Sequence, residues 1–498
     1  MSSTTPAAPA EGASGLGGSA SKLTLVDAVA QSVGFMGPVF GIAFLVPLVM
    51  GIISATGNGA GTAAPLSILL AGIGVLAVAW IVAEYAKRIQ AAGALYDYVT
   101  DGLGSKIGAA AGFLYYLGIL SLGGALLVLA SGTIHDTLAA EYEFTAISDL
   151  VWAIILLALV GAVLYWGVAL STRTQLVLAM LSIVTVLIFS VYVIIKVAGD
   201  NNLAKAFSPG EAPGGLSGIL FGVVYGVLLF TGFETAANLG EETEHPARDI
   251  PRAVLFSVLA VGAFFVIGAY AQVAGFGFSL DTFAQNAGAP LFGLAAPSDA
   301  GGYGSVTVGR LLEVVVILDM LAVLIGISTA GSRGIFAMAR DGRFPKAMTN
   351  ISGRGTPLVA SLAVLALYVV FVVVTHATTW FALEGFPQYF SIFNMGSSFG
   401  ALALATIYFL LCLGAIRGLA DHPSQAKVWT AVIVGSVAMA AAIFGAVYKV
   451  PTPTIYVAYA AAVVFAIGLV MAYAVKGTQP AVTTFDELPP SEQGPVKL

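Results

Sequence analysis

"TGFETAANLGEE", Thr231 to Glu242, closes an apolar run that begins near Leu216. Gly232 and Gly240 bracket Glu234, Thr235 and Asn238. An ionisable side chain at the centre of a bilayer costs roughly 2.5–3.5 kcal/mol on insertion scales, so it needs a partner or a task. Glycines on either side of a carboxylate loosen the backbone that a simple crossing helix keeps intact. The stretch therefore reads as a membrane helix that is broken and charged for a purpose.

The rest of the chain supports a membrane setting. Of its 498 residues, 58% are hydrophobic and 9% charged, against a charged share of roughly 25% in soluble domains. Lipid must be the solvent for most of this surface. The net charge of −6 is spread along the chain and forms no basic patch for nucleic acid. The single cysteine, Cys412, excludes a disulfide framework, and the four histidines show no ligand spacing. No cofactor is implied. Residues 1–22 and 477–498 read as loose tails, the first rich in Ser, Ala, Gly and Pro and without the basic start of a secretory signal.

Between the tails, residues 23–476 form one transporter-like domain with twelve apolar runs long enough to span. They cover 28–54, 63–86, 106–134, 148–169, 175–197, 216–240, 251–275, 308–333, 357–377, 387–414, 428–447 and 453–475, and are numbered here as spans one to twelve. An even count puts both tails on one side. If that side is cytoplasmic, Lys196, Lys205, Arg310 and Lys449 face out and the other sixteen of the 20 basic residues face in. This bias predicts a multi-pass protein of the cell membrane with cytoplasmic termini.

Span one carries an interruption of its own, "QSVGFMGPVFG", Gln31 to Gly41, in which Pro38 removes a donor and clashes with the preceding turn. Gly34-Phe35 in span one echoes Gly232-Phe233 in span six, five spans later. That spacing predicts two inverted five-helix repeats, about 28–197 and about 216–414, with two added helices at 428–475. Broken backbone survives in lipid where it lines a cavity or meets a ligand. Half-helix amides suit an anion and free carbonyls suit a cation, so a zwitterion fits both.

Three motifs then carry a resemblance. "GFETAANLGEETEHPARDIPRAV" (Gly232–Val254), "AEYAKRIQAAGALYDYV" (Ala83–Val99) and "GSRGIFAMARDGRFP" (Gly331–Pro345) resemble the span-six exit, the span-two exit and the span-eight exit of the amino acid–polyamine–organocation permeases. The resemblance implies an all-α fold of twelve helices in a five-plus-five inverted repeat with broken spans one and six. It implies a substrate carboxylate near the amides of Phe35, Met36, Gly37 and Val39. The family often has Gly-Ser-Gly there; this chain has Gly37-Pro38-Val39 and Pro38 cannot donate. The ammonium would meet carbonyls around Leu228, Leu229 and Phe230, with Gly232 also among the substrate-binding candidates and Phe233 and Ile327 as side-chain walls.

The coupling residues are open at this level. Glu234 can contact an amine, take part in gating or proton transfer, or cap broken backbone. Asp319 can handle a proton, hold Arg310, or hold a neighbouring helix. Glu241 and Glu242 are expected to pair with Arg248, Arg252 or the arginines after span eight. Proton-coupled relatives often carry a span-five lysine; the matching position is Ser182. Sodium would need oxygens such as those of Ser328 and Thr329, although hydroxyls more often bond their own helix.

The favoured reading is a secondary transporter of L-amino acids working by alternating access, without a nucleotide-binding loop. A polyamine or cationic amino acid carrier is the runner-up, on the strength of Glu234 and Asp319. A channel fits less well, because two interrupted helices in one chain favour a carrier. An intramembrane enzyme would need a nucleophile–base pair or metal set in the membrane, and the histidines lie near the ends of the expected spans or in loops.

Overall fold

The computed structural model describes residues 23–51, 59–89, 93–166, 172–240, 243–284, 286, 290–448, 450 and 452–474; the side chains of 172–178 and 284 are not included. Both tails, Glu241 and Glu242, with the ion pairs expected of those two, lie outside them. Every extended element among the described residues is helical, and pairing between extended segments is limited to isolated bridges such as Leu23 with Thr243.

Twelve helices are long and apolar enough to cross a membrane. They run Leu25–Met50, Gly61–Ala86, Ser105–Tyr142, Asp149–Trp166, Ala179–Asp200, Leu216–Leu239, Pro246–Gly275, Val306–Arg340, Leu358–Ala377, Gln388–Gly418, Gln425–Gly445 and Ile455–Ala474. The twelve expected spans are all present. Spans three and eight are much longer than their apolar runs, at 38 and 35 residues. Hydropathy registers the lipid-facing part alone, whereas the backbone ladder continues into polar sequence. The extensions meet: Arg310 at the start of span eight donates to Glu141 at the end of span three, 2.8 Å away.

Burial sorts the bundle. The most apolar window of span one is wholly buried and that of span six 83% buried, whereas those of spans four and twelve are 22% buried. Spans one and six are therefore central. Ile188, Leu362 and Val470 on outer spans point away from the protein, as a lipid-facing surface requires. Span ten lies along span three, and small residues permit the approach. A Cβ on Gly118 would stand 2.5 Å from the Ala403 Cβ, which is the close packing expected of membrane helices.

The sequence reading omits several short helices. Leu95–Leu103 lies between spans two and three, Leu203–Phe207 between five and six, and Leu280–Ala284 with Pro290–Ala295 between seven and eight. Each is too short to register as a span.

One end of the bundle carries a charged cluster. Lys87 donates to Glu84 at 2.7 Å, His422 Nε2 lies 3.5 Å from Glu84, and Arg88 pairs with Asp421. Asp101, on the helix between spans two and three, lies beside them with its side chain exposed and partly desolvated by the cluster. Burial raises its carboxyl above the usual value, opposed by Arg88 and assisted by Asp421. A carboxyl raised in the folded state contributes its stability at low pH and loses it as pH rises through the folded value. Asp101→Asn should therefore melt with wild type near pH 4 and above it near pH 8. A melting-temperature gap that narrows as pH rises would contradict burial as the dominant cause.

Candidate functional site

The first break is at Gly37. The first half of span one, Leu25–Met36, stops there with Gly37 at φ 57° and ψ 65°, a left-handed conformation. The helix restarts at Pro38, passes through a π-helical turn at Gly41–Leu45 and ends at Met50. Proline suits the first position of the new half because its missing N–H would have no partner in the helix. The π turn leaves the Ile42 carbonyl to a side chain, and Gln272 Nε2 donates to it at 2.6 Å.

The second break is at Gly232. An α-helix covers Leu216–Leu229, Gly232 takes φ 112°, and a 3-10 helix continues over Phe233–Leu239. The two breaks are joined. Ser32 Oγ donates to the Phe233 carbonyl at 2.8 Å. The Phe35 ring lies against Gly232, where an added Cβ would fall 2.3 Å from Phe35 Cδ1, and touches Gly326 of span eight.

Glu234 is buried and fully engaged. Its Oε2 accepts from the Gly232 amide and from Tyr408 Oη, each at 3.0 Å, and its Oε1 accepts from Tyr115 Oη at 2.9 Å. One carboxylate thus caps the break in span six and fastens it to spans three and ten. Of the roles open in the sequence, capping is the one with a bond in this arrangement.

Asp319, also buried, reaches the other break. Its Oδ2 accepts from the Val39 amide at 3.0 Å and the Phe40 amide at 2.8 Å. The expectation that Asp319 holds Arg310 is corrected: Arg310 binds Glu141. Nine residues along an α-helix turn through half a revolution beyond two full turns, so the two side chains point to opposite faces.

Two helices broken at matching places, with a buried carboxylate on each break, are the build of a solute carrier, and sequence comparison agrees. The amino acid permease family model matches residues 32–479. The chain belongs to the amino acid permease family. Among curated relatives, the branched-chain amino acid permease BcaP of Bacillus subtilis is 25% identical over 62% of this chain and 68% of its own length. A methylthioribose transporter of the same organism is 27% identical over 60% and 64%. A manganese transporter of Eremococcus coleocola has the same fold, with a TM-score of 0.53 at 14% identity over 90% of this chain and 94% of that one. The permease is a multi-pass membrane transporter.

The remaining expected residues of this permease divide by location. Phe35, Met36, Gly37 and Val39 lie at the first break, and Leu228, Leu229, Phe230, Gly232 and Phe233 at the second. The Val39 amide already has an acceptor in Asp319. The Leu228 and Phe230 carbonyls accept from Thr231 N at 3.0 Å and Phe233 N at 3.3 Å. Phe233 packs on Tyr408 with ring centroids 5.5 Å apart. Ile327 is buried in span eight and faces Gly123 of span three.

Ser182 is buried in span five. Ser328 Oγ donates to its own helix at the Leu324 carbonyl, 2.6 Å away, and meets Tyr368 Oη at 2.9 Å. Thr329 Oγ1 is buried without a hydrogen-bond partner among the described residues.

Sequence reasoning misses Tyr115, Tyr408, Ser32 and Gln272. A signal exists for the first: the tyrosine pair in "GFLYYLG" (Gly112–Gly118) sits in the middle of an apolar run, where a hydroxyl needs a partner.

Proposed function

We propose that this permease moves L-amino acids across the cell membrane by alternating access, with both termini cytoplasmic. The observation that carries the reading is the joined pair of helix breaks at Gly37 and Gly232, in the two most central spans of the first and second halves. Free backbone at membrane depth is tolerated where a ligand or cavity meets it. The division into repeats at about 28–197 and about 216–414 belongs to the same proposal. Phe35, Phe233 and Ile327 give the surroundings an apolar character. Together with the similarity to a branched-chain amino acid permease, they make leucine, isoleucine and valine the first substrates to try.

The test is counterflow in proteoliposomes. Liposomes loaded with unlabelled leucine should accumulate external labelled leucine transiently, and removal of internal leucine should abolish the overshoot. Linear equilibration without an overshoot would mark a pore. Proton and sodium gradients imposed separately in the same assay assign the coupling ion.

A further inference from the structure

We propose that Asp319 receives the substrate's ammonium group. The break in span one would then read the cationic end of an amino acid through a side chain, and its Val39 and Phe40 amides would not hold the carboxylate. The inference rests on the transport reading above and adds the polarity of binding to it.

The helix that restarts at Pro38 runs thirteen residues to Met50, and its first free amides are a ready anion site. An anion is already there. The Val39 and Phe40 amides both donate to Asp319 Oδ2. A substrate carboxylate at the same amides would meet a carboxylate of the protein, and like charges in a poorly screened site repel strongly.

The second oxygen of Asp319 is the available one. Oδ1 accepts no hydrogen bond among the described residues and is not among the sealed, partnerless atoms, although the residue as a whole is 3% exposed. No charged side chain among the described residues acts on Asp319; its partners are the two amides. Charged side chains described on the packed elements are engaged elsewhere. Asp27 of span one holds Thr24, Asp136 of span three takes Tyr389, Asp149 of span four faces His376, and Lys196 of span five lies over Tyr192. A buried carboxylate without a counter-charge is costly in a membrane. A visiting ammonium removes that cost and forms a charge-assisted bond.

A sodium ion is the other cation of suitable size. It requires several oxygens, and the two hydroxyls considered for it, Ser328 and Thr329, lie nine and ten residues along span eight from Asp319, roughly 13–15 Å away along the axis. Ser328 lies nine residues on, which puts it on the opposite face of span eight, and its hydroxyl is occupied by Leu324 and Tyr368. The geometry favours the ammonium.

Thermal melts of the purified full chain in detergent test this with five probes. They are leucine, leucinamide (ammonium kept, carboxylate absent), N-acetylleucine (the reverse), putrescine and sodium chloride. Leucine and leucinamide should raise the melting temperature and N-acetylleucine should not. In Asp319→Asn the leucinamide response should weaken at least about tenfold in affinity.

Stabilisation by N-acetylleucine without leucinamide overturns the proposal, and this comparison needs only wild type if the variant does not fold. Stabilisation by sodium chloride alone, lost in Asp319→Asn, also overturns it in favour of an ion site. Responses to putrescine and leucinamide without leucine keep the ammonium receptor and remove the amino acid reading. If no probe acts while leucine counterflow persists, the receptor falls and the transport reading stands.

Discussion

Replacing Glu234 by alanine is expected to reduce leucine transport by more than about 100-fold, the largest effect of any single side-chain truncation in this permease. Three donors converge on its two oxygens: the Gly232 amide, Tyr115 Oη and Tyr408 Oη. All are buried, and truncation strands them together. Each stranded donor costs about 1–3 kcal/mol, and bonds to a charged acceptor are worth about 1.5–3 kcal/mol. Every 1.4 kcal/mol is a factor of ten in an equilibrium, so the loss of two bonds suffices.

Glutamine at position 234 should be intermediate. It keeps the shape and one acceptor oxygen but turns an N–H₂ towards a donor. Tyr115→Phe and Tyr408→Phe each remove one bond and should each cost about tenfold or less. The readout is initial uptake into proteoliposomes, normalised to folded protein by size-exclusion chromatography. Transport by Glu234→Ala within a few-fold of wild type would mean that the three contacts do not matter for the cycle.

The second large effect is expected from the backbone. Gly232→Ala should give little or no folded protein, or protein that melts many degrees lower and does not transport. Gly232 holds φ 112°, a region that side-chain-bearing residues rarely adopt, and the added Cβ would lie 2.3 Å from Phe35 Cδ1. The backbone strain costs about 1–3 kcal/mol and the overlap about 1–3 kcal/mol more. Gly34→Ala supplies the contrast within the same motif. Gly34 lies in the regular helix Leu25–Met36, and a Cβ there meets nothing within 4 Å. It should be neutral or slightly stabilising, since alanine is favoured over glycine in a helix by roughly 1 kcal/mol. Equal behaviour of the two variants would show that the turn at Gly232 can relax at no cost.

The architecture was legible because lipid imposes a narrow rule. A crossing helix must be apolar for about 20 residues, so all twelve spans stand out in composition. The breaks were legible for a related reason, since Gly37-Pro38 and Gly232-Phe233-Glu234 contradict the requirement for an unbroken ladder. The partners of those breaks were not legible. Nothing local in "FTGFETAANLG" says that Tyr115 and Tyr408, more than 100 residues away on either side, will close on Glu234. Helical periodicity assigns a face to a side chain but not the neighbour it meets. Asp319 shows the same gap. Its burial in an apolar helix marked it as a residue with a task, yet its bond to the span-one amides depends on how two helices 280 residues apart are set against each other.

The link between the two breaks has a mechanical meaning. Ser32 bonds the Phe233 carbonyl, and one turn later the Phe35 ring seats on Gly232. A joint fastened at one point can pivot; fastened at two successive turns, it can neither slide nor twist. The half-helix Leu25–Met36 and the turn at Gly232 therefore behave as one lever arm. The tyrosine hydroxyls of spans three and ten grip that arm through Glu234, and Asp319 of span eight holds the half-helix beyond Gly37, so any movement of the arm must work through those two sets of bonds.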